Sequence, residues 1–127
     1  MDKKIIRFGS RKSALALVQT KLVMEAVAHA HPELAVELVA METTGDRNMK
    51  PFSEASDKFG IKGLFTQELE EALLSGAIDV AVHSLKDMPM NANPALPLVA
   101  YSLREDPRDA LVLPQGRTGI ETGAIGC

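Results

Sequence analysis

The sequence is poor in cysteine and in aromatic residues, and these shortages exclude several classes of protein. Its only cysteine is Cys127, so the chain cannot form an internal disulfide, which is typical of proteins from a reducing compartment. It has no tryptophan, one tyrosine and four phenylalanines, too few to predict a platform on which nucleic-acid bases stack. The net charge of −3 also argues against a nucleic-acid partner.

Long hydrophobic runs and familiar cofactor motifs are missing as well. No segment approaches the roughly 20 apolar residues of a membrane helix, and no secretory signal core follows Met1–Lys4. Neither the phosphate-loop pattern nor G-x-G-x-x-G occurs, which disfavours a nucleotide, and no His, Cys or carboxylate set has metal-ligand spacing. We therefore expect a cytoplasmic protein with no membrane partner and no metal.

Segments with strand and helix character alternate along the 127 residues. Strands are predicted at residues 5–9, 35–41, 78–83, 96–103 and 110–113, and helices at residues 14–30 and 64–75, with a long polar connection over residues 43–63. Leu15, Val18 and Leu22 lie at helical spacing, Ser13 is a candidate N-cap, and Gly76 is placed to end the second helix. The order predicts an α/β fold with a mixed, largely parallel sheet and flanking helices. A charged break at residues 104–109 divides a first domain, 1–103, from a hinge and the start of a second, 104–127.

The segment Asp79–Pro89 is the most informative part of the chain. It begins as an apolar strand and then presents Ser84, Lys86 and Asp87 before it stops at proline. Open α/β sheets bind ligands at the carboxyl ends of their strands, which is where these side chains would lie. A strand followed by an ordinary polar turn is the alternative, because Asp and Pro are common turn residues.

Polar loops that follow a predicted strand or precede a predicted helix occur at three places, namely residues 11–13, 58–63 and 84–87. In a parallel sheet these loops would meet at one edge, where helix N-termini and cations together favour anions. Several separated cations suit a ligand with several carboxylates, although each cation alone could be a solvated surface charge. Asp87 is the exception among them. An ionised carboxylate there could stabilise a developing positive charge or exchange protons with an amine leaving group, unless it only forms the turn.

Five blocks of sequence, in a fixed order and spacing, resemble hydroxymethylbilane synthase, also called porphobilinogen deaminase. The blocks are residues 11–17 (RKSALAL), 44–46 (TGD), 60–70 (GIKGLF followed by ELE), 79–89 (DVAVHSLKDMP) and 104–110 (REDPRDA). The resemblance covers almost the whole chain. It implies a transferase of tetrapyrrole biosynthesis that joins four porphobilinogen molecules with loss of ammonia and uses a covalently attached dipyrromethane cofactor as primer.

The resemblance also implies roles for individual residues and a periplasmic-binding-protein-like first domain. Asp87 matches the catalytic aspartate, which stabilises positive pyrrole intermediates and assists proton transfer. The residues expected around the cofactor are Lys58, Ser84 and Lys86, and those expected around the substrate carboxylates are Arg11, Ser13 and Lys62. Each pyrrole carries an acetate and a propionate, which matches the multi-carboxylate ligand that the cations favour.

The chain departs from the family pattern at its end. Family members have three domains, and their cofactor cysteine lies in the C-terminal domain, so Cys127 is not expected to be that residue. The first domain also lacks a later return segment of its sheet, which makes it incomplete. We therefore expect the isolated chain to be inactive and its uncovered edge to favour self-association, whereas full-length members are usually monomeric. The competing hypothesis is a non-catalytic anion-binding or self-associating truncated α/β module.

Overall fold

The computed structural model describes residues 2–47, 63–89, 91 and 93–116. Its regular elements are the strands β1 (Lys4–Arg11), β2 (Leu34–Met41) and β3 (Val80–Ala81), the α-helices α1 (Ala14–Ala30), α2 (Thr44–Arg47) and α3 (Gln67–Ser75), and a 3₁₀ helix at Leu85–Asp87. The α/β fold predicted from the sequence is thus confirmed for the described residues. No helix among them is both long and apolar enough to cross a membrane.

The described strands form one parallel sheet in the order β2-β1-β3. β1 pairs with β2 along its whole length, from Lys4 opposite Leu34 to Arg11 opposite Met41. Its pairing with β3 is short and joins only Phe8 with Val80 and Gly9 with Ala81. Since the strands are parallel, the chain segments that leave β1, β2 and β3 all emerge at the same edge of the sheet.

Helix α1 begins and ends as the sequence predicts, but its buried face is a different one. Ser13 caps it through a hydrogen bond that its Oγ accepts from the Ala16 amide at 3.4 Å. The spaced residues Leu15, Val18 and Leu22 are more than half exposed, at 59%, 56% and 58%. The helix instead buries the stripe that includes Thr20, and packs with it against β1 and β2.

The small core lies between the sheet and helix α3. Its buried apolar side chains are Phe8 from β1, Leu64, Leu69 from α3, and Ile78 just before β3. The helix ends at Gly76, as predicted, in the left-handed conformation that glycine adopts without strain (φ 80°). This packing places the start of β3 beside β1, which brings the loops after both strands together.

Several predicted elements differ from the structure. Residues 96–103 and 110–113 are not strands, and most of their apolar side chains stay exposed, with Leu103 at 96% and Val112 at 89%. Strand character alone is not sufficient, because a strand also requires a neighbour that accepts its backbone hydrogen bonds. The strand predicted at 78–83 shrinks to Val80–Ala81, and α3 begins at Gln67 rather than at residue 64. The predicted polar connection contains helix α2 at its start.

Candidate functional site

The carboxyl ends of β1 and β3 bring the two most prominent charged residues of the sequence together. Arg11 is the last residue of β1, and Asp87 ends the 3₁₀ helix that follows β3. Arg11 Nη1 lies 3.6 Å from Asp87 Oδ2, and both side chains are about one-fifth exposed, at 18% and 21%. The expected meeting of these two loops at one sheet edge is confirmed.

A second carboxylate, from helix α2, holds the other side of the Arg11 guanidinium. Asp46 accepts hydrogen bonds from Arg11 Nε, at 3.2 Å on Oδ2, and from Arg11 Nη2 on Oδ1. This fork of two parallel hydrogen bonds is the strongest geometry that an arginine and a carboxylate form. Arg11 Nη1 is therefore the nitrogen that faces Asp87.

Thr43 fixes the Asp46 carboxylate in turn. Asp46 Oδ2 accepts hydrogen bonds from the Thr43 amide at 3.2 Å and from the Thr43 hydroxyl at 2.7 Å. Partial burial alone would raise the pKa of Asp46, but the hydrogen bonds from Arg11 and Thr43 outweigh it and leave the pKa below its usual value. The bond to Asp46 likewise raises the pKa of Arg11, so both groups are charged at neutral pH.

The aromatic ring of Phe65 covers the face of the same guanidinium. Arg11 Cζ stands 4.3 Å from the ring centroid, which is a cation–π arrangement. Gly45 is buried against the ring, and a Cβ at that position would lie within 2.6 Å of Phe65 Cδ1. The Gly45 amide also donates to the Leu64 carbonyl at 2.7 Å, so the turn after β2 is tied directly to the segment before α3.

A small cavity of about 50 Å³ opens beside this cluster. Its lining contains Arg11, Ser13, Leu15, Ala16, Gln19, Val82, His83, Ser84, Lys86 and Asp87. Gln19 Oε1 accepts a hydrogen bond from the Ser84 hydroxyl at 2.8 Å, which links helix α1 to the loop after β3. Among the described residues Lys86 has no ion pair, and its exposed ammonium is available to an anion.

His83 lies on the wall of this cavity. Burial lowers the pKa of His83, the nearby Asp87 raises it, and Arg11 lowers it again, with a net decrease from the usual value. The imidazole is therefore neutral at pH 7 and offers one donor and one acceptor.

The residues proposed from the sequence fall into two groups. Asp87, Ser84, Lys86, Arg11 and Ser13 all line the same cavity. Lys58 and Lys62 lie outside the described residues, as does the third polar loop. Within the part of the chain that the structure covers, no cluster of three or more His, Cys, Asp or Glu could hold a metal ion.

A family model described as "Porphobilinogen deaminase, dipyromethane cofactor binding domain" matches residues 6–125. The chain belongs to the porphobilinogen deaminase family. Similar proteins named porphobilinogen deaminase occur in Acetivibrio thermocellus, 51% identical over 123 residues, and in Gloeobacter violaceus, 48% identical over 125 residues. These alignments cover 96% and 98% of this chain but 41% and 36% of the relatives, so the chain spans about two-fifths of their length.

Three residues that shape the site in this porphobilinogen deaminase family member were not assigned to it from the sequence. Asp46 belongs to the quoted 44–46 block and follows β2 just as Arg11 ends β1, but it was placed in a long polar connection. Gln19 is one of several polar residues on helix α1, and its Oε1 accepts a hydrogen bond from the Ser84 hydroxyl. Phe65 belongs to the quoted 60–70 block, where no role was given to it, and its ring contacts the Arg11 guanidinium.

Proposed function

We propose that this chain supplies the cofactor-binding and catalytic-carboxylate portion of a porphobilinogen deaminase, which joins four porphobilinogen molecules into hydroxymethylbilane with loss of ammonia. The observation that carries the proposal is the position of Asp87. Its carboxylate lines a cavity beside Arg11, with hydroxyl groups and Lys86 around it, at the carboxyl edge of a parallel sheet. The family match supports the same conclusion.

Asp87 is the group that we assign to the chemistry. Loss of ammonia from an aminomethyl-pyrrole leaves positive charge on the ring system, and a fixed carboxylate stabilises such charge as it develops. The same oxygens can accept or return a proton at the ring carbon where the new bond forms. Asp87 is about one-fifth exposed, so it is shielded from bulk water yet reachable from the cavity.

Recognition of the acetate and propionate groups falls to the donors around the cavity. Ser13 stands at the N-terminus of α1, where free backbone amides favour anions, and Ser84 and Lys86 line the same cavity. Lys58 and Lys62 are proposed for the same task on the family resemblance, as cofactor and substrate ligands respectively. Arg11 completes the set of substrate-binding candidates.

These residues also fit a dipyrromethane cofactor, which is the group named in the matching family model. The cavity of about 50 Å³ has room for a carboxylate arm or a ring edge, and its lining combines cations and hydroxyls with one carboxylate, that of Asp87. When bound, dipyrromethane supplies the pyrrole carbon to which the first substrate is joined. Ser84 and Lys86 would hold its carboxylates, and Asp87 would stabilise positive charge that develops on its rings.

The finer architectural assignments are proposals of the same kind. We assign residues 1–103 to a periplasmic-binding-protein-like first domain, and residues 104–127 to the hinge and the start of a second domain. We also propose a cytoplasmic location, porphobilinogen as the partner, and a monomer for the complete enzyme. Self-association of this chain by itself would follow from its exposed apolar side chains, such as Val99 and Leu103.

One experiment tests the proposal through a hybrid enzyme, in which this chain replaces the matching segment of the Acetivibrio thermocellus relative. The hybrid should form hydroxymethylbilane from porphobilinogen, and Asp87→Asn should lower kcat by about 10³-fold or more, as expected for a group that stabilises transition-state charge. Glu33→Gln is the control, because that exposed carboxylate lies at the opposite end of the sheet, just before β2.

The 127-residue chain alone provides the second arm. We expect neither bilane nor a covalently bound dipyrromethane mass after incubation with porphobilinogen. Near-normal turnover by the Asp87→Asn hybrid would contradict the catalytic role. Binding of simple dicarboxylates by the chain, together with a folded but inactive unsubstituted hybrid, would instead favour the anion-binding module.

A further inference from the structure

The Arg11 guanidinium is engaged on three sides by groups of this chain. Asp46 accepts hydrogen bonds from Nε and Nη2, and the Phe65 ring covers one face of the guanidinium. Nη1 lies 3.6 Å from Asp87 Oδ2. That last separation is longer than a hydrogen bond but within ion-pair range. The guanidinium therefore acts on Asp87 from a fixed position without forming a fork with it.

We propose that Asp46 is a positioning residue, which holds Arg11 so that Arg11 orients the catalytic carboxylate without neutralising it. This inference rests on the proposed function of Asp87. An unrestrained arginine would turn its fork toward the nearest carboxylate, because two parallel hydrogen bonds are stronger than a single contact at 3.6 Å. Asp46 occupies the fork and prevents that rearrangement.

The support for Asp46 comes from the protein itself and needs no ligand. Its Oδ2 is bonded to both the amide and the hydroxyl of Thr43, and the Thr43 side chain is fully buried. Gly45, next to Asp46, is buried against the Phe65 ring. The position of Arg11 is therefore set when the chain folds, so the entropy of fixing this long side chain is not lost again when substrate binds.

The hold on Arg11 can be measured directly on the 127-residue chain by nuclear magnetic resonance. The Arg11 Nε–H group should give a distinct, slowly exchanging resonance, since it donates to Asp46 at 3.2 Å. Asp46→Asn should move this resonance toward the position of exposed arginines and speed its exchange. Glu42→Gln is the matched control, because it removes an exposed carboxylate that pairs with Arg47 and not with Arg11.

The catalytic consequence is tested in the hybrid enzyme by a double-mutant cycle. Asp46→Asn should lower kcat by about 10- to 100-fold with a smaller change in KM, as expected for misplacement of a catalytic group by about 1 Å. In an Arg11→Met background, Asp46→Asn should cause no further loss of kcat, because its effect passes through Arg11. A merely structural role would lower stability without this dependence on Arg11.

The outcomes distinguish failure of the proposed function from failure of the positioning role of Asp46. A folded but inactive unsubstituted hybrid would contradict the proposed function, while the resonance experiment would still test the hold on Arg11. An active hybrid whose Asp46→Asn variant keeps kcat within about twofold of its parent would overturn the role of Asp46. So would an equal kcat loss in both Arg11 backgrounds. If Asp46→Asn does not fold, Thr43→Val serves instead. It removes the 2.7 Å bond that the Thr43 hydroxyl donates to Asp46 Oδ2 and the 3.2 Å bond that it accepts from the Asp46 amide, and it should give a smaller loss of the same kind.

Discussion

Replacement of Gly9 by alanine tests how closely the strand that carries Arg11 packs against the core. A Cβ at Gly9 would lie less than 3.0 Å from Ile78 Cδ1. It would also lie 3.0 Å from Leu69 Cδ2. Ile78 and Leu69 are 2% and 0% exposed, so neither can withdraw into solvent. Gly9 itself cannot shift, because its strand is paired on both sides, with Val39 and with Ala81.

The magnitude follows from two opposing effects. Overpacking of a filled core costs roughly 1–3 kcal/mol, and alanine is favoured over glycine within a strand by roughly 0.5–1 kcal/mol. The contact with Ile78 is far inside van der Waals distance, so the upper part of the first range applies. We expect Gly9→Ala to lower the free energy of unfolding by about 1–2 kcal/mol in a urea titration of the chain.

A compensating substitution makes this prediction specific. Ile78→Val deletes Cδ1, the atom that the new methyl would strike, and alone costs roughly 0.5–1.5 kcal/mol. In the double variant the clash with Cδ1 is gone and only the milder contact with Leu69 remains, so its loss should be smaller than the sum of the two single losses. Gly63→Ala is the control, since a Cβ there meets nothing within 4 Å. Additive losses, or a Gly9→Ala protein as stable as its parent, would refute the reasoning.

Two further predictions concern the walls of the cavity. Burial lowers the pKa of His83 in the folded chain below its value of about 6.5 in the unfolded chain. As the pH falls below about 6.5, the unfolded state therefore binds the proton first, and the parent protein should lose stability until the pH passes the lower pKa of the folded state. His83→Gln should lack that part of the loss when urea midpoints at pH 7.5 and 5.5 are compared, and equal losses in both proteins would contradict the assignment. Ser13→Ala removes the N-cap of α1 and should lower the free energy of unfolding by about 0.5–1 kcal/mol, because the capping hydrogen bond is long at 3.4 Å. The control Ser75→Ala should lower the free energy of unfolding by less. A larger loss in Ser75→Ala than in Ser13→Ala would show that the cap contributes little.

The sequence was sufficient to predict which loops meet at the sheet edge. The polar residues that directly follow β1 and β3 are local signals, and parallel pairing turns them into spatial neighbours, as Arg11 and Asp87 show. The partner of Arg11 was not predictable in the same way. Asp46 lies 35 residues away and stands at the start of a long polar segment, where nothing local distinguishes it from a solvated carboxylate.

Other differences have a common physical origin, because local patterns do not specify packing partners. Helix α1 is apolar on most sides, so spacing alone selected Leu15 and Val18, whereas the sheet covers the stripe that contains Thr20. The segment 96–103 has strand composition but pairs with no described strand, and Val99 remains 80% exposed. Both cases depend on which surface the rest of the fold supplies.

The charge distribution at the site indicates that the residues at the cationic edge have two different roles. Arg11, Asp46 and Asp87 form one group of contacts with a single cation and two carboxylates, so the group carries a net negative charge. Such a group would repel a carboxylate and stabilise a cation. We therefore propose that Ser13 and Lys86, which have no carboxylate partner among the described residues, contribute most to carboxylate recognition. On this proposal Arg11, which the sequence predicts as a substrate ligand, also acts on Asp87, and the site separates anion binding from stabilisation of positive charge.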